Sequence, residues 1–156
     1  MMFISLFVLF GVFCVGKCCT DGWITHGSKC YHLSRDEETW MGAKEMCKLM
    51  HGSLAFIEDK AEADFLHSQV RVIDENFWIA LTDLESEGTW KWVNSVTSVD
   101  PPYLDWGVGQ PDNADAGQDC AIIAVNEDFQ WADEHCEDSF FYVCERDNNN
   151  MGSTIG

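Results

Sequence analysis

Between Trp40 and Met50 the apolar side chains Trp40, Ala43, Met46, Cys47 and Met50 recur at intervals of three and four. That spacing lays them along one face of a helix, which is predicted within residues 38–50 and stopped at His51-Gly52-Ser53, where glycine frees the backbone for a turn. The run SLAFI, residues 53–57, reads as a strand, and DKAEADFLHSQVR, residues 59–71, as a second helix with Asp59 as its N-cap. Past Ile73 the period changes. Short apolar runs broken by turn residues follow: FWIAL (77–81), TWKWV (89–93), CAIIAV (120–125) and FFYVC (140–144), all read as strands. Between them lies an irregular stretch from about residue 96 to 118, and a loop of that length inside a compact domain points to function rather than to simple connection. The chain shows no internal repeat, and DNNNMGSTIG at its end reads as a frayed tail.

A chain of 156 residues with 46% hydrophobic and 13% aromatic side chains is sized and composed for one folded domain. The formal charge of −18 excludes a nucleic acid partner, since phosphate binding needs clustered Lys and Arg. No Lys or Arg occurs between Lys91 and Arg146, an interval with 12 carboxylates, so the acidic charge is concentrated around the long loop. The tryptophans Trp78, Trp90, Trp92, Trp106 and Trp131 are expected to pack as scaffold.

Residues 1–16, MMFISLFVLFGVFCVG, are too short for a membrane span of ~20 residues but match the apolar region of a secretory signal. Cleavage is expected after Gly16, with Cys18 as the alternative position, leaving a soluble, secreted, extracellular protein with no membrane partner. In that compartment the cysteines are expected to be oxidised. Of eight, Cys14 leaves with the signal and seven remain, an odd number. Either Cys18 is also removed, or it stays as a free thiol or bridges to another chain as a homo-oligomer. The other six allow 15 pairings. His135 beside Cys136 is a weak zinc signal, because oxidised cysteines cannot ligate as thiolates. No nucleophile and base pattern of an enzyme is present, and no catalytic residue is assigned.

The segments CTDGW and CY (Cys19 to Tyr31), TW with Ala43 and Cys47, FWIAL, WGVGQPDN (Trp106 to Asn113), Asp119-Cys120, Trp131-Ala132-Asp133, Cys136 and Cys144 follow one another in a recognisable order. Taken together they resemble the C-type lectin domain, in the arrangement of the secreted single-domain invertebrate lectins, perlucin-like ones among them. The resemblance covers residues 19–146, with 147–156 left as a flexible tail. It implies an α+β fold in which two helices flank small antiparallel sheets and a long loop carries the binding site. It also implies three disulfides, Cys19 with Cys30, Cys47 with Cys144, and Cys120 with Cys136.

The resemblance further implies calcium, a hard cation that takes six to eight oxygen ligands. In the sugar-binding site the ligands would be Gln110, Asp112, Gln118 and Asp133, which would also hydrogen-bond the sugar hydroxyls. An accessory site would use Asp83, Glu87, Asn113 and Asp119. The order Gln110-Pro111-Asp112 is a galactose-type signature, with a cis peptide bond expected before Pro111. Three positions depart from the pattern. Ala132 stands where an asparagine usually supplies an oxygen, Gln118 replaces a glutamate, and Ala114 lies where an aromatic often stacks on galactose. Calcium affinity rises with ligand charge and number, so binding in the weak extracellular range of ~10⁻⁴ to 10⁻³ M, or none, is expected at the sugar site. Two functions follow from the resemblance: a calcium-dependent lectin for galactose or N-acetylgalactosamine in innate immune recognition, or a matrix or protein-interaction module on the same fold with a degraded sugar site.

Overall fold

The computed structural model describes Cys19 and residues 22–93, 98–114 and 116–148. Residues 1–16, Cys18 and residues 149–156 lie outside the described residues, and with them the expected signal, the interchain bridge and the end of the tail. Both predicted helices are present, as α1 (Trp40–Leu49) and α2 (Lys60–Ile73). Thr39 caps the first, its Oγ1 accepting from the Gly42 N–H at 3.2 Å, and buries Trp40, Ala43 and Cys47 on one face. Asp59 caps the second, its Oδ1 accepting from Glu62 N–H at 2.9 Å, and the helix ends where Asp74 turns left-handed.

The strands are β1 (Ile24–His26), β2 (Lys29–Leu33), β3 (Ser53–Leu54), β4 (Phe77–Thr82), β5 (Lys91–Val93), β6 (Ser98–Val99), β7 (Cys120–Ile123), β8 (Trp131–Glu134) and β9 (Phe141–Asp147). Strand β9 is the junction of the sheet. It pairs antiparallel with β2 and β3 at one end and parallel with β4 at the other, through Phe77 opposite Phe141 and Trp78 opposite Tyr142. The sheet is thus mixed rather than wholly antiparallel. From β4 the pairing continues to β5 and β6 on one side and to the β7–β8 hairpin on the other. Every residue of β4 is buried, which explains why its sequence reads as an unbroken apolar run without alternation.

Periodicity did not reveal the β1–β2 hairpin, β6 or β8, which are short and carry polar residues. SLAFI is a strand only at its first two residues. Past residue 146, Asp147 still pairs with Lys29 and the Asn148 N–H donates to the Ser28 carbonyl at 2.8 Å, so these two residues belong to the fold. Trp78, Trp92 and Trp131 are fully buried, whereas Trp90 and Trp106 are half-buried and meet edge to face at the core's margin. The three disulfides are the ones that the resemblance implies.

Beside β2, the Lys29 ammonium draws three carboxylates together, Glu58 at 3.3 Å, Glu62 at 2.9 Å and Glu145 at 3.2 Å, and the Tyr31 hydroxyl donates to Glu62. Burial pushes the Glu145 carboxyl up to about 7, against the opposing pull of the Lys29 ammonium.

Cys47 and Cys144 are 97 residues apart, so their bridge restricts almost the whole unfolded domain. Replacing both by alanine is expected to cost about 2–5 kcal/mol in urea unfolding. The raised Glu145 carboxyl means that the folded chain keeps a proton that the unfolded chain releases between about pH 4.5 and pH 7. Stability from this group is therefore complete below the unfolded value and lost as pH rises through about 7. Glu145→Gln is expected to flatten that loss, measured as the difference between variant and native unfolding free energies at about pH 5 and about pH 8.

Candidate functional site

The long loop is held by Trp131, the first residue of β8. Its N–H donates to the Asp105 carbonyl at 2.8 Å and its carbonyl accepts from Gly107 N–H at 2.8 Å, so both sides of Trp106 are tied to one strand. Around its ring stand Trp92, Tyr103 and Trp106, all edge to face with centroids 5.4, 5.8 and 6.0 Å away. His67 of α2 adds a contact from outside, its Nε2 lying 3.3 Å from the Asp105 carboxylate. From that anchorage the loop turns at Gly107–Gly109 and passes through a cis Gln110–Pro111 bond to Asp112 and Asn113.

Two groups of oxygen-bearing side chains meet where this loop crosses the ends of β4, β7 and β8. The first is acidic. Pairing of Thr82 with Cys120 brings the end of β4 beside the start of β7, and the Asp83 N–H donates to the Asp119 carbonyl at 3.1 Å. Asp83 Oδ2 accepts from the Gly88 N–H at 2.7 Å, folding the turn that returns Glu87. One carboxylate oxygen each of Asp83, Glu87 and Asp119 lie within 4.8 Å of one another. Asp83 is only 3% exposed, and its Oδ1 is buried with no hydrogen-bond donor among the described residues. Burial raises its carboxyl above the ordinary range, the Gly88 N–H opposes this, and Glu87 and Asp119 raise it further. A buried, unpaired carboxylate oxygen facing two more carboxylates suits a hard divalent cation, which supplies the charge the protein does not.

Asn113 joins this cluster by its nitrogen. Nδ2 donates to Glu87 Oε1 at 2.8 Å, while Oδ1 accepts from the N–H groups of Gly117 at 2.7 Å and Gln118 at 3.1 Å. A carboxylate accepts only, which fixes the amide this way round. Asn113 therefore links the cluster to the second group, Gln110, Asp112, Gln118 and Asp133.

In that group the buried Asp133 carboxylate accepts from the backbone N–H of Asp112 at 3.0 Å and of Asn113 at 2.7 Å, stapling the loop to β8. Asp112 is exposed, and its Oδ1 accepts from Ala114 N–H at 3.0 Å. The Gln110 and Gln118 amide oxygens are buried with no donor among the described residues. Two buried amide oxygens without a donor, with the carboxylates of Asp112 and Asp133, are hard oxygen donors of the kind that calcium takes. This group is poorer in charge than the first. Ala132 contributes a buried methyl group, and both Asp133 oxygens already serve backbone donors.

Glu134 is a member of this neighbourhood that sequence reading missed. Its Oε2 accepts from Gln118 Nε2 at 3.1 Å, and burial raises its carboxyl more than the Gln118 hydrogen bond lowers it. The signal was available in the alternation of Trp131-Ala132-Asp133-Glu134, which puts Glu134 on the same face of β8 as Ala132. His135 Nδ1 lies 3.0 Å from the Gly117 carbonyl, at the loop and away from any thiolate, since Cys136 is bonded to Cys120.

Residues 36–146 match the model of the lectin C-type domain family. The chain is 31% identical over 150 residues to a perlucin-like protein of Mytilus galloprovincialis, covering 90% of this chain and 94% of that protein. It is 36% identical over 141 residues to asialoglycoprotein receptor 2 of Mus musculus, covering 85% of this chain but only 44% of the receptor. The chain thus spans less than half the length of that relative. Among solved structures, the carbohydrate-recognition domain of the mouse scavenger receptor C-type lectin superposes with a TM-score of 0.75 at 33% identity, covering 86% of this chain and all of that one. No helix among the described residues is long and apolar enough to cross a membrane. Match, fold and disulfides agree: the chain belongs to the C-type lectin domain family, whose members are carbohydrate-binding, non-enzymatic proteins.

Proposed function

We propose that the protein is a secreted, calcium-dependent lectin for terminal galactose or N-acetylgalactosamine, acting in innate immune recognition of glycans. The observation that carries the reading is the pair of amide oxygens, of Gln110 and Gln118, that are buried with no donor among the described residues. When bound, calcium would offer vacant coordination positions to two neighbouring sugar hydroxyls. Gln110, Asp112, Gln118 and Asp133 would hold it. Their carboxylates accept hydrogen bonds from those hydroxyls and their amide nitrogens donate to them, which sets the orientation of the sugar. Asp83, Glu87 and Asp119 would hold an accessory cation that fixes the loop from beneath, with the Asn113 amide turned over to present its oxygen. Relatives named asialoglycoprotein receptor support a glycoprotein ligand, and the perlucin-like relative, which the chain matches nearly end to end, supports a single-domain secreted form. Leader cleavage after Gly16 and a homo-oligomer through Cys18 complete the reading, since clustered sites raise avidity for repeated glycans.

The second reading, a matrix or protein-interaction module, is favoured by Ala132. Its methyl group replaces an oxygen ligand, and an accessory cation alone would order the loop without sugar binding.

Calorimetric titration with calcium is expected to show a site lost in Asp83→Asn, whose affinity falls by about tenfold or more, since calcium affinity follows ligand charge. On a glycan array, galactosides are expected to bind in calcium and to be released by EDTA. Galactoside binding that survives EDTA, or none in calcium, would exclude the lectin reading. Ala132→Asn is expected to strengthen both calcium and galactose binding by adding one oxygen ligand, whereas no gain would favour the interaction module.

A further inference from the structure

We infer that Glu134 is a positioning residue of the sugar site, holding the Gln118 amide with its oxygen toward the cation and supplying the negative charge that Gln118 and Ala132 lack. The inference rests on the galactose-type reading above. Three observations carry it. Glu134 Oε2 accepts from Gln118 Nε2 at 3.1 Å. Because a carboxylate offers no donor, only the nitrogen of that amide can face it, so the Gln118 oxygen must face the other way. There, Gln118 Oε1 is buried with no donor among the described residues, which is the condition of a ligand atom held ready.

Strand geometry gives the reason that Glu134 can take this part. Cys120 stands opposite Glu134 and Ile122 opposite Ala132 in the β7–β8 hairpin, so the two side chains share a face two residues apart, and Gln118 precedes β7 on the neighbouring strand. Asp133, between them, points to the other side and staples the backbone of Asp112 and Asn113. Two carboxylates of one strand thus grip the loop at two places. Asp133 fixes its backbone and Glu134 fixes its amide side chain. A carboxylate one atom layer behind a ligand acts as outer partners of metal ligands generally do, by orienting the ligand and by adding charge.

The test separates orientation from charge. Glu134→Gln keeps an acceptor for Gln118 Nε2 and removes the charge, while Glu134→Ala removes both. In the calcium-free protein, the side-chain amide resonances of Gln118 are expected to shift and broaden in Glu134→Ala and to stay sharp in Glu134→Gln. In calorimetry, calcium affinity at the sugar site is expected to fall by about tenfold in Glu134→Ala and by less in Glu134→Gln. Affinity at the Asp83 cluster is expected to stay unchanged in both. Gln118→Glu alone would place a like charge beside Glu134, so its gain in calcium affinity is expected to be larger when combined with Glu134→Gln. Native-like Gln118 resonances and calcium affinity in Glu134→Ala would overturn the inference while leaving the lectin reading intact. A native protein that binds calcium at the Asp83 cluster alone, with no galactose-dependent change, would overturn both.

Discussion

The buried ring of Trp131 is what the binding loop depends on. Past β6 the described residues of the loop pair with a strand only through the Trp106–Trp131 bridge, and ordering each residue costs about 1–2 kcal/mol of backbone entropy. Trp131 offsets part of that with three edge-to-face aromatic neighbours, each worth about 0.5–1.5 kcal/mol beyond its buried area. The same residue donates and accepts backbone hydrogen bonds on either side of Trp106. The anchor and the chemistry are adjacent in sequence: Ala132, Asp133 and Glu134 follow Trp131 on β8. A displacement of the ring would therefore move the loop and its attachment points together.

Two clusters of carboxylates are treated in opposite ways. In one, Glu58, Glu62 and Glu145 surround the Lys29 ammonium, a cation that the chain itself provides. At the loop, Asp83, Glu87 and Asp119 converge with no salt bridge to Lys or Arg among the described residues. Burial raises the Asp83 and Glu145 carboxyls alike, but the Oδ1 of the nearly inaccessible Asp83 has no donor among the described residues. Under the proposed function a cation from solution would supply there the charge that Lys29 supplies to the other cluster.

Much of the fold was legible because its signals are local. The recurrence of Trp40, Ala43 and Cys47, the Asp59 cap and the apolar run of β4 each depend on neighbours within a few residues. β1, β2 and β8 were not legible, since strands of three to five residues with polar members carry no clear period and are held by pairing: β1 by β2, β2 also by the distant β9, and β8 by β7. Glu134 escaped for a related reason. Its meaning depends on Gln118, 16 residues away, and on which face of β8 it occupies. The side-chain role of Asn113 was likewise settled by Glu87, a residue of another turn.

By itself the sequence determined the family, the two helices and the set of oxygen-bearing residues near the loop, because caps, periodicity and ordered motifs are written in short-range identities. Only the tertiary structure decided how those oxygens divide. Pairing of β4 with β7 closes Asp83, Glu87 and Asp119 into one cluster, while the β7–β8 hairpin puts Asp133 beneath the loop and Glu134 behind Gln118. The physical reason is that a hydrogen bond or an unpaired lone pair is a relation between atoms a few ångströms apart. Chain order constrains such relations only through the register that folding selects.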